Sequence, residues 1–212
     1  MDDGSWYGIL CKGFDGGEVM AGITERLDAM EAEIRKPRFR ESTGMANEVN
    51  YWVFDYPPEK ELEVRERIEY MKKKNQKGVD GFELVVFDLY DMVMDYLESK
   101  NFVNSYMRYE KRRGFNYIVR AVTTSMKVNE DDSIIVQKIV EQTPENAIVF
   151  LTGVGKCYPM LRSHKILNTL HQHGLRKTPV VLFFPGTYNE QELILFNEIK
   201  DDNYYRAFKL VK

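Results

Sequence analysis

Four residues carry the chemistry this sequence most readily suggests: Asp88, and Gly153, Gly155 and Lys156 within "FLTGVGKCYPMLRSH". An apolar run entering Gly-Val-Gly-Lys has the outline of a strand feeding a phosphate-binding turn. Asp88 closes a second apolar run, "ELVVFD", where a metal-anchoring carboxylate would stand. A working P-loop needs a turn long enough to wrap its amides around phosphates, then a Ser or Thr to hold magnesium. The pattern G-x-x-x-x-G-K-[ST] is absent, the turn is too short, and Cys157 offers a thiol where a hydroxyl is required. The expectation is therefore a tight strand-to-helix turn in which glycine permits backbone angles that other residues resist. A degenerate phosphate site at Asp88, Gly153, Gly155 and Lys156 is the alternative.

Other chemistries lack their parts. His164, His171 and His173 are the only histidines. The first two lie seven apart, which shares a helix face without giving the four-residue spacing of a helical zinc pair, and no paired cysteines support them. No metal site is expected. Ser163 has no flanking glycines of a nucleophile elbow, and Cys157 has no definable orienting group. The chain is expected to be neither an enzyme nor a cofactor carrier. "RYEKRRG" gathers Arg108, Lys111, Arg112 and Arg113, with Arg108 and Arg112 on one helix face. Glu110 interrupts the run. A solvated face accounts for it, and direct nucleic-acid contact is the alternative. Aromatic residues crowd the C-terminal third: Phe183, Phe184, Tyr188, Phe196, Tyr204, Tyr205 and Phe208. Core packing explains most of them, while tyrosines with hydroxyls to satisfy also suit protein interfaces.

The elements that must position these residues read as alternating strands and helices. "VNYWVFDYPP", "FELVVFDLYD", "NAIVFLTGV" and "TPVVLFFPG" are β-rich runs. Residues 18–35 and 59–76 have helical apolar spacing, and "KPRFRESTGMANE" reads as a loop broken by Pro37 and Gly44. "QELILFNEI" is ambiguous, and "YYRAFKLV" is a closing strand expected to pair antiparallel at an edge. Near-continuous apolar strands separated by helices imply a mostly parallel α/β sheet of about five strands covered on both faces, a Rossmann-like three-layer arrangement. Residues 102–143 hold more helix than one crossover requires, so they read as a helical insertion within a single domain spanning residues 1–212. In such a sheet Asp55, Asp88, the Gly153–Lys156 turn and Tyr188 would all sit at the carboxyl rim, where ligands bind.

Composition agrees with a surface in water. The chain has 212 residues, 43% hydrophobic and 30% charged, with a formal charge of −3. Bulk electrostatics therefore do not favour nucleic acid, and any such contact needs a local patch. No stretch approaches the roughly 20 apolar residues of a spanning helix. "MDDGSWYGILCKG" lacks the basic flank and apolar core of a secretory signal. Cys11 and Cys157 form no motif, which points to free thiols in a reducing cytoplasm.

Three stretches together resemble the BrxB family of BREX bacteriophage-exclusion systems: "NEVNYWVFDYPPEKELEVRERI", "FLTGVGKCYPMLRSHKILNTL" and "PVVLFFPGTYNEQELILFNEIKDDNYYRAF". The specific signatures are "FDYPP", "GVGK-x-YP-x-LRSH-x-ILN", "FFPG-x-Y" and "NYYRAF". The resemblance implies a cytoplasmic adaptor without catalytic activity that supports phage exclusion and host DNA methylation. It also implies docking on a PglZ-type protein of the alkaline phosphatase superfamily, with other BREX components as further partners and no membrane contact. It marks Arg162, His164, Asn168, Tyr188, Tyr204, Tyr205 and Arg206 as a shared surface or an internal polar network. In the second case Arg162 or Arg206 would pair with Asp55 or Asp88.

Overall fold

A computed structural model of the chain describes residues 22–40, 50–172, 175, 177–201 and 207–211. The first half alternates as its sequence requires. Helix α1 (Ile23–Ile34) buries Leu27, Met30 and Ile34 on one stripe. Pro37 opens a short turn of helix, α2 (Pro37–Arg40), where a loop was expected, because Phe39 is buried with its ring 5.3 Å from that of Trp52. Strand β1 (Tyr51–Tyr56) stops at Pro57. A 3₁₀ turn from Pro58 leads into α3 (Glu61–Lys74), which has Glu61 and Glu63 in its first turn and Lys72, Lys73 and Lys74 in its last. That polarity complements the helix dipole.

After α4 (Lys77–Asp80) the chain forms β2 (Glu83–Asp88) and α5 (Leu89–Ser99). Three helices follow within the expected insertion: α6 (Val103–Arg113), α7 (Phe115–Ser125) and α8 (Ile134–Gln142). Strand β3 (Ala147–Thr152) leads through one helical turn, α9 (Val154–Cys157), to α10 (Ser163–Gln172). The last strands are β4 (Val180–Tyr188), β5 (Leu193–Leu195), β6 (Ile199–Asp201) and β7 (Phe208–Lys209). No helix among the described residues is long and apolar enough to cross a membrane.

The sheet order is β2-β3-β4-β1-β7, all parallel, with β5 and β6 as an antiparallel hairpin on the end of β4. Alternation along each strand divides the core into two layers. Val53, Val149, Leu151, Val180 and Leu182 face α5, α8 and α10. Phe54, Ile148, Phe150, Val181 and Phe183 face α1 and α3. Burial on both faces explains why the strands read as continuous apolar runs.

Two expectations about the C-terminal segment are resolved differently. The ambiguous "QELILFNEI" is a β-hairpin whose turn carries Phe196 and Asn197 at φ 55° and 60°. The closing strand is parallel to β1, not antiparallel, and only two residues long. Its direction is held by the Leu210 amide donating to the Val53 carbonyl at 2.9 Å, and by Lys209 reaching Asp55.

Candidate functional site

The carboxyl rim of the sheet divides into two polar clusters, because strand order separates their carboxylates. At the β2–β3 end, Asp88 caps α5. Its Oδ1 accepts from the amides of Tyr90 at 2.9 Å and Asp91 at 3.2 Å, two donors that a helix N-terminus leaves unsatisfied. Its Oδ2 accepts from Lys156 Nζ at 2.6 Å. The ammonium also lies 5.2 Å from the centre of the Tyr90 ring. Gly153 makes this approach possible: it sits at φ 75°, and a Cβ there would come within 2.3 Å of Asp88 Oδ1. The turn is therefore the tight strand-to-helix connection its glycines suggest.

The structure brings Asp88, Gly153, Gly155 and Lys156 together, but spends their polar capacity on one another. The face of Gly155 is occupied as well, since a Cβ added there would meet the Phe196 ring at 2.8 Å. A phosphate entering this turn would have to displace the Asp88 carboxylate from Lys156 and move the hairpin ring. Cys157 is buried, and that desolvation, with Asp88 nearby, pushes its thiol up to about 12. It is held as the neutral thiol, which is a poor nucleophile.

At the β4–β1 end, Asp55 is buried and fully engaged. Its Oδ1 accepts from Arg26 at 2.7 Å, and its Oδ2 from Lys209 at 2.8 Å and from the Tyr188 amide at 3.0 Å. Lys209 also donates to the Tyr188 carbonyl at 3.1 Å, and the Tyr188 hydroxyl to the Ala207 carbonyl at 2.7 Å. Tyr188 thus belongs to an internal network tying the last strand to the sheet. Among the described residues, the cations on Asp55 and Asp88 are Arg26, Lys209 and Lys156. The pairing expected from Arg162 is not observed, because Arg162 stands exposed ahead of α10. Sequence patterns offered no route to Arg26 and Lys209. Only the sheet order, with α1 packed on its face, brings residues 26, 55 and 209 together.

Beside these clusters lies a pocket of about 90 Å³ with Val154, Tyr158, Leu161, Phe184 and Leu195 in its wall. Arg162 and Lys200 supply its charged lining. Its volume is of the order of one aliphatic side chain, well below a cavity that takes benzene. The motif residues of α10 point two ways: His164 is buried, while Asn168 is exposed together with Arg162. Tyr204, Tyr205 and Arg206 lie outside the described residues, as does His173. Arg108, Lys111, Arg112 and Arg113 are all exposed on α6. Among the described residues, no group of three or more His, Cys, Asp or Glu side chains is placed to hold a metal ion.

Comparison with known proteins gives this geometry its context. No solved structure matches the chain. A BREX protein BrxB from Bacillus cereus is 43% identical over 192 residues, covering 91% of this chain and 99% of that protein. A second, from Escherichia coli, is 28% identical over 186 residues, covering 88% of this chain and 90% of its own length. The family profile described as BREX protein BrxB matches residues 85–210, a span that holds both rim lysines, the pocket and the α6–α7 helices. The chain belongs to the BrxB family of BREX proteins.

Proposed function

We propose that this chain is a non-catalytic assembly subunit of a BREX phage-defence complex, docking on the PglZ-type component and so supporting phage exclusion and host DNA methylation. One observation carries the reading. The carboxylates at the strand ends are already neutralised by the chain's own cations, whereas Arg162 and Lys200 stand exposed in the lining of an apolar pocket. Asp55 and Asp88 hold the fold, and at the pocket the charge offered outward is positive, from Arg162 and Lys200. A small apolar cavity flanked by exposed polar side chains suits an anchor residue from a partner surface.

The test is co-purification of the full-length chain with the PglZ-type protein. The expected result is a stable complex that Arg162→Glu dissolves while leaving the melting temperature of the free chain unchanged. Two folded proteins that ignore each other across a range of salt would overturn the docking, and a lowered melting temperature in Arg162→Glu would move that residue to a structural role. Millimolar ATP with magnesium should leave the melting temperature where it is, since binding to the folded state raises it. A clear rise would replace this reading with a nucleotide-responsive one.

A further inference from the structure

The helical hairpin of α6 and α7 takes no part in the rim, and its surface differs from the rest of the chain. Helix α6 has no fully buried residue and meets the core only through half-buried Val103 and Tyr106 in its first turn, although a helix of 11 residues packed on a core normally hides a longer apolar stripe. It carries Arg108, Lys111, Arg112 and Arg113, α7 adds Arg120, and Glu110 is the one carboxylate over residues 103–125. Five cations against one anion give +4, which leaves −7 for the remainder of a chain whose total is −3. The helix dipole accounts for cations in the last turn of α6, but not for Arg120 in the middle of α7. On α1, at its C-cap and on α3, Arg26, Arg35, Arg65 and Arg67 are each drawn into ion pairs. Among the described residues none of the five hairpin cations is.

Rings accompany the charge. Arg113 lies over Tyr117 at 4.8 Å and near Tyr109 at 6.0 Å, an arrangement that stiffens the tip. Phe115 is 50% exposed and Tyr109 39%, so both offer a ring to solvent on the hairpin whose guanidinium groups meet no carboxylate among the described residues. An acidic protein surface would satisfy the cations alone. A nucleic-acid strand satisfies both features, because planar guanidinium forks match phosphate oxygens and flat rings stack on unpaired bases.

We propose that the α6–α7 hairpin binds a single nucleic-acid strand, with Arg108, Arg112 and Arg120 on phosphates and Tyr109 and Phe115 against unstacked bases. This stands apart from the assembly reading, since it shares no residue with the rim. The test is fluorescence anisotropy of the full-length chain with a labelled single-stranded oligonucleotide across a salt series. Binding is expected at micromolar protein in low salt, with log affinity falling linearly in log salt. Replacing Arg108, Arg112 and Arg120 by Ala should weaken it at least tenfold and flatten the slope by about 2, at roughly 0.7 per lost single-strand phosphate contact. Tyr109→Ala with Phe115→Ala should weaken binding by about thirtyfold or more and leave the slope unchanged. All five side chains are exposed or half-exposed, so matched melting temperatures are expected. The single Arg112→Glu variant serves as an independent check, with a larger loss than Arg112→Ala. No binding at tens of micromolar, parental affinity in the triple variant, or equal affinity for polyglutamate would overturn the proposal, the last assigning the patch to an acidic protein.

Discussion

The tripeptide Val-Phe-Asp occurs at the carboxyl end of two strands of this protein, as Val53-Phe54-Asp55 one residue before the last of β1 and as Val86-Phe87-Asp88 closing β2. The two copies have opposite fates. Strand β1 lies inside the sheet between β4 and β7, and β2 lies at its edge. Phe54 packs toward α1 and α3, whereas Phe87 packs toward α5 and α8. Asp55, with a side chain only 6% exposed, is enclosed by two cations and a backbone amide. Asp88, at 23%, caps a helix and holds one lysine in reach of water. A carboxylate at a strand end is therefore a keystone or a surface cap according to its strand's place in the sheet, and the tripeptide itself does not decide which.

The largest expected effect separates the two directly. Asp55→Ala strands Arg26 and Lys209 beside one another and leaves the Tyr188 amide without its acceptor. Breaking a buried pair by removing one partner costs about 3–5 kcal/mol. Because both cations can partly rehydrate, the lower end is expected here. That corresponds to a fall of roughly 10 °C in melting temperature for a chain of this size. Asp55→Asn, which keeps an acceptor for the amide, should recover part of the loss. Denaturant titration of the three proteins checks the order. Equal stability of Asp55→Ala and the parent would dissolve the distinction between the two carboxylates.

An intermediate effect is expected at the Asp88 cluster. Asp88→Ala removes a helix cap, worth about 1 kcal/mol. Gly153→Ala should cost more, about 2 kcal/mol, because it combines a left-handed backbone with a Cβ pressed 2.3 Å from Asp88 Oδ1. The two are coupled through that contact. In the Asp88→Ala background the Gly153→Ala cost should shrink by about 1 kcal/mol, the part owed to the clash. A double-mutant cycle that adds without coupling would mean that the glycine serves its backbone angle alone.

Much of the sheet was legible from the sequence because several signals agree. The apolar run of β1 stops at Pro57–Pro58, and that of β3 stops at the Gly153 turn. The hairpin of β5 and β6 escaped because Phe196 and Asn197 hold the left-handed positions where Asn-Gly would announce a turn. The direction of β7 escaped because it depends on a lysine reaching a carboxylate 154 positions away. The site was legible only in part, for the same reason. Residues 88, 153, 155 and 156 are neighbours because adjacent strands carry them. What local sequence did not reveal is that Lys156 answers Asp88 instead of a phosphate, or that a hairpin ring covers Gly155. The basic run on α6 was visible outright, but only the structure shows that the helix has no fully buried residue and that Arg120 extends the patch onto α7.

The smallest effect sharpens the comparison most, because salt reads burial independently of mutational cost. Lys156→Met removes a cation from a part-exposed pair, where such interactions contribute about 0–1 kcal/mol and mobile ions screen them. Lys209→Met removes a cation from a carboxylate that stays enclosed and still faces Arg26 and the Tyr188 amide. In low salt both variants should be less stable than the parent, Lys209→Met by the wider margin. Raising salt from about 0.01 M to 1 M shortens the screening length from roughly 30 Å to 3 Å. The Lys156→Met deficit should close under that change, because the parent loses what the variant never had. The Lys209→Met deficit should persist, since ions do not enter the space between Asp55 and its partners. If both deficits close together, Asp55 is as open to solvent as Asp88, and the division of the rim into a keystone and a cap fails.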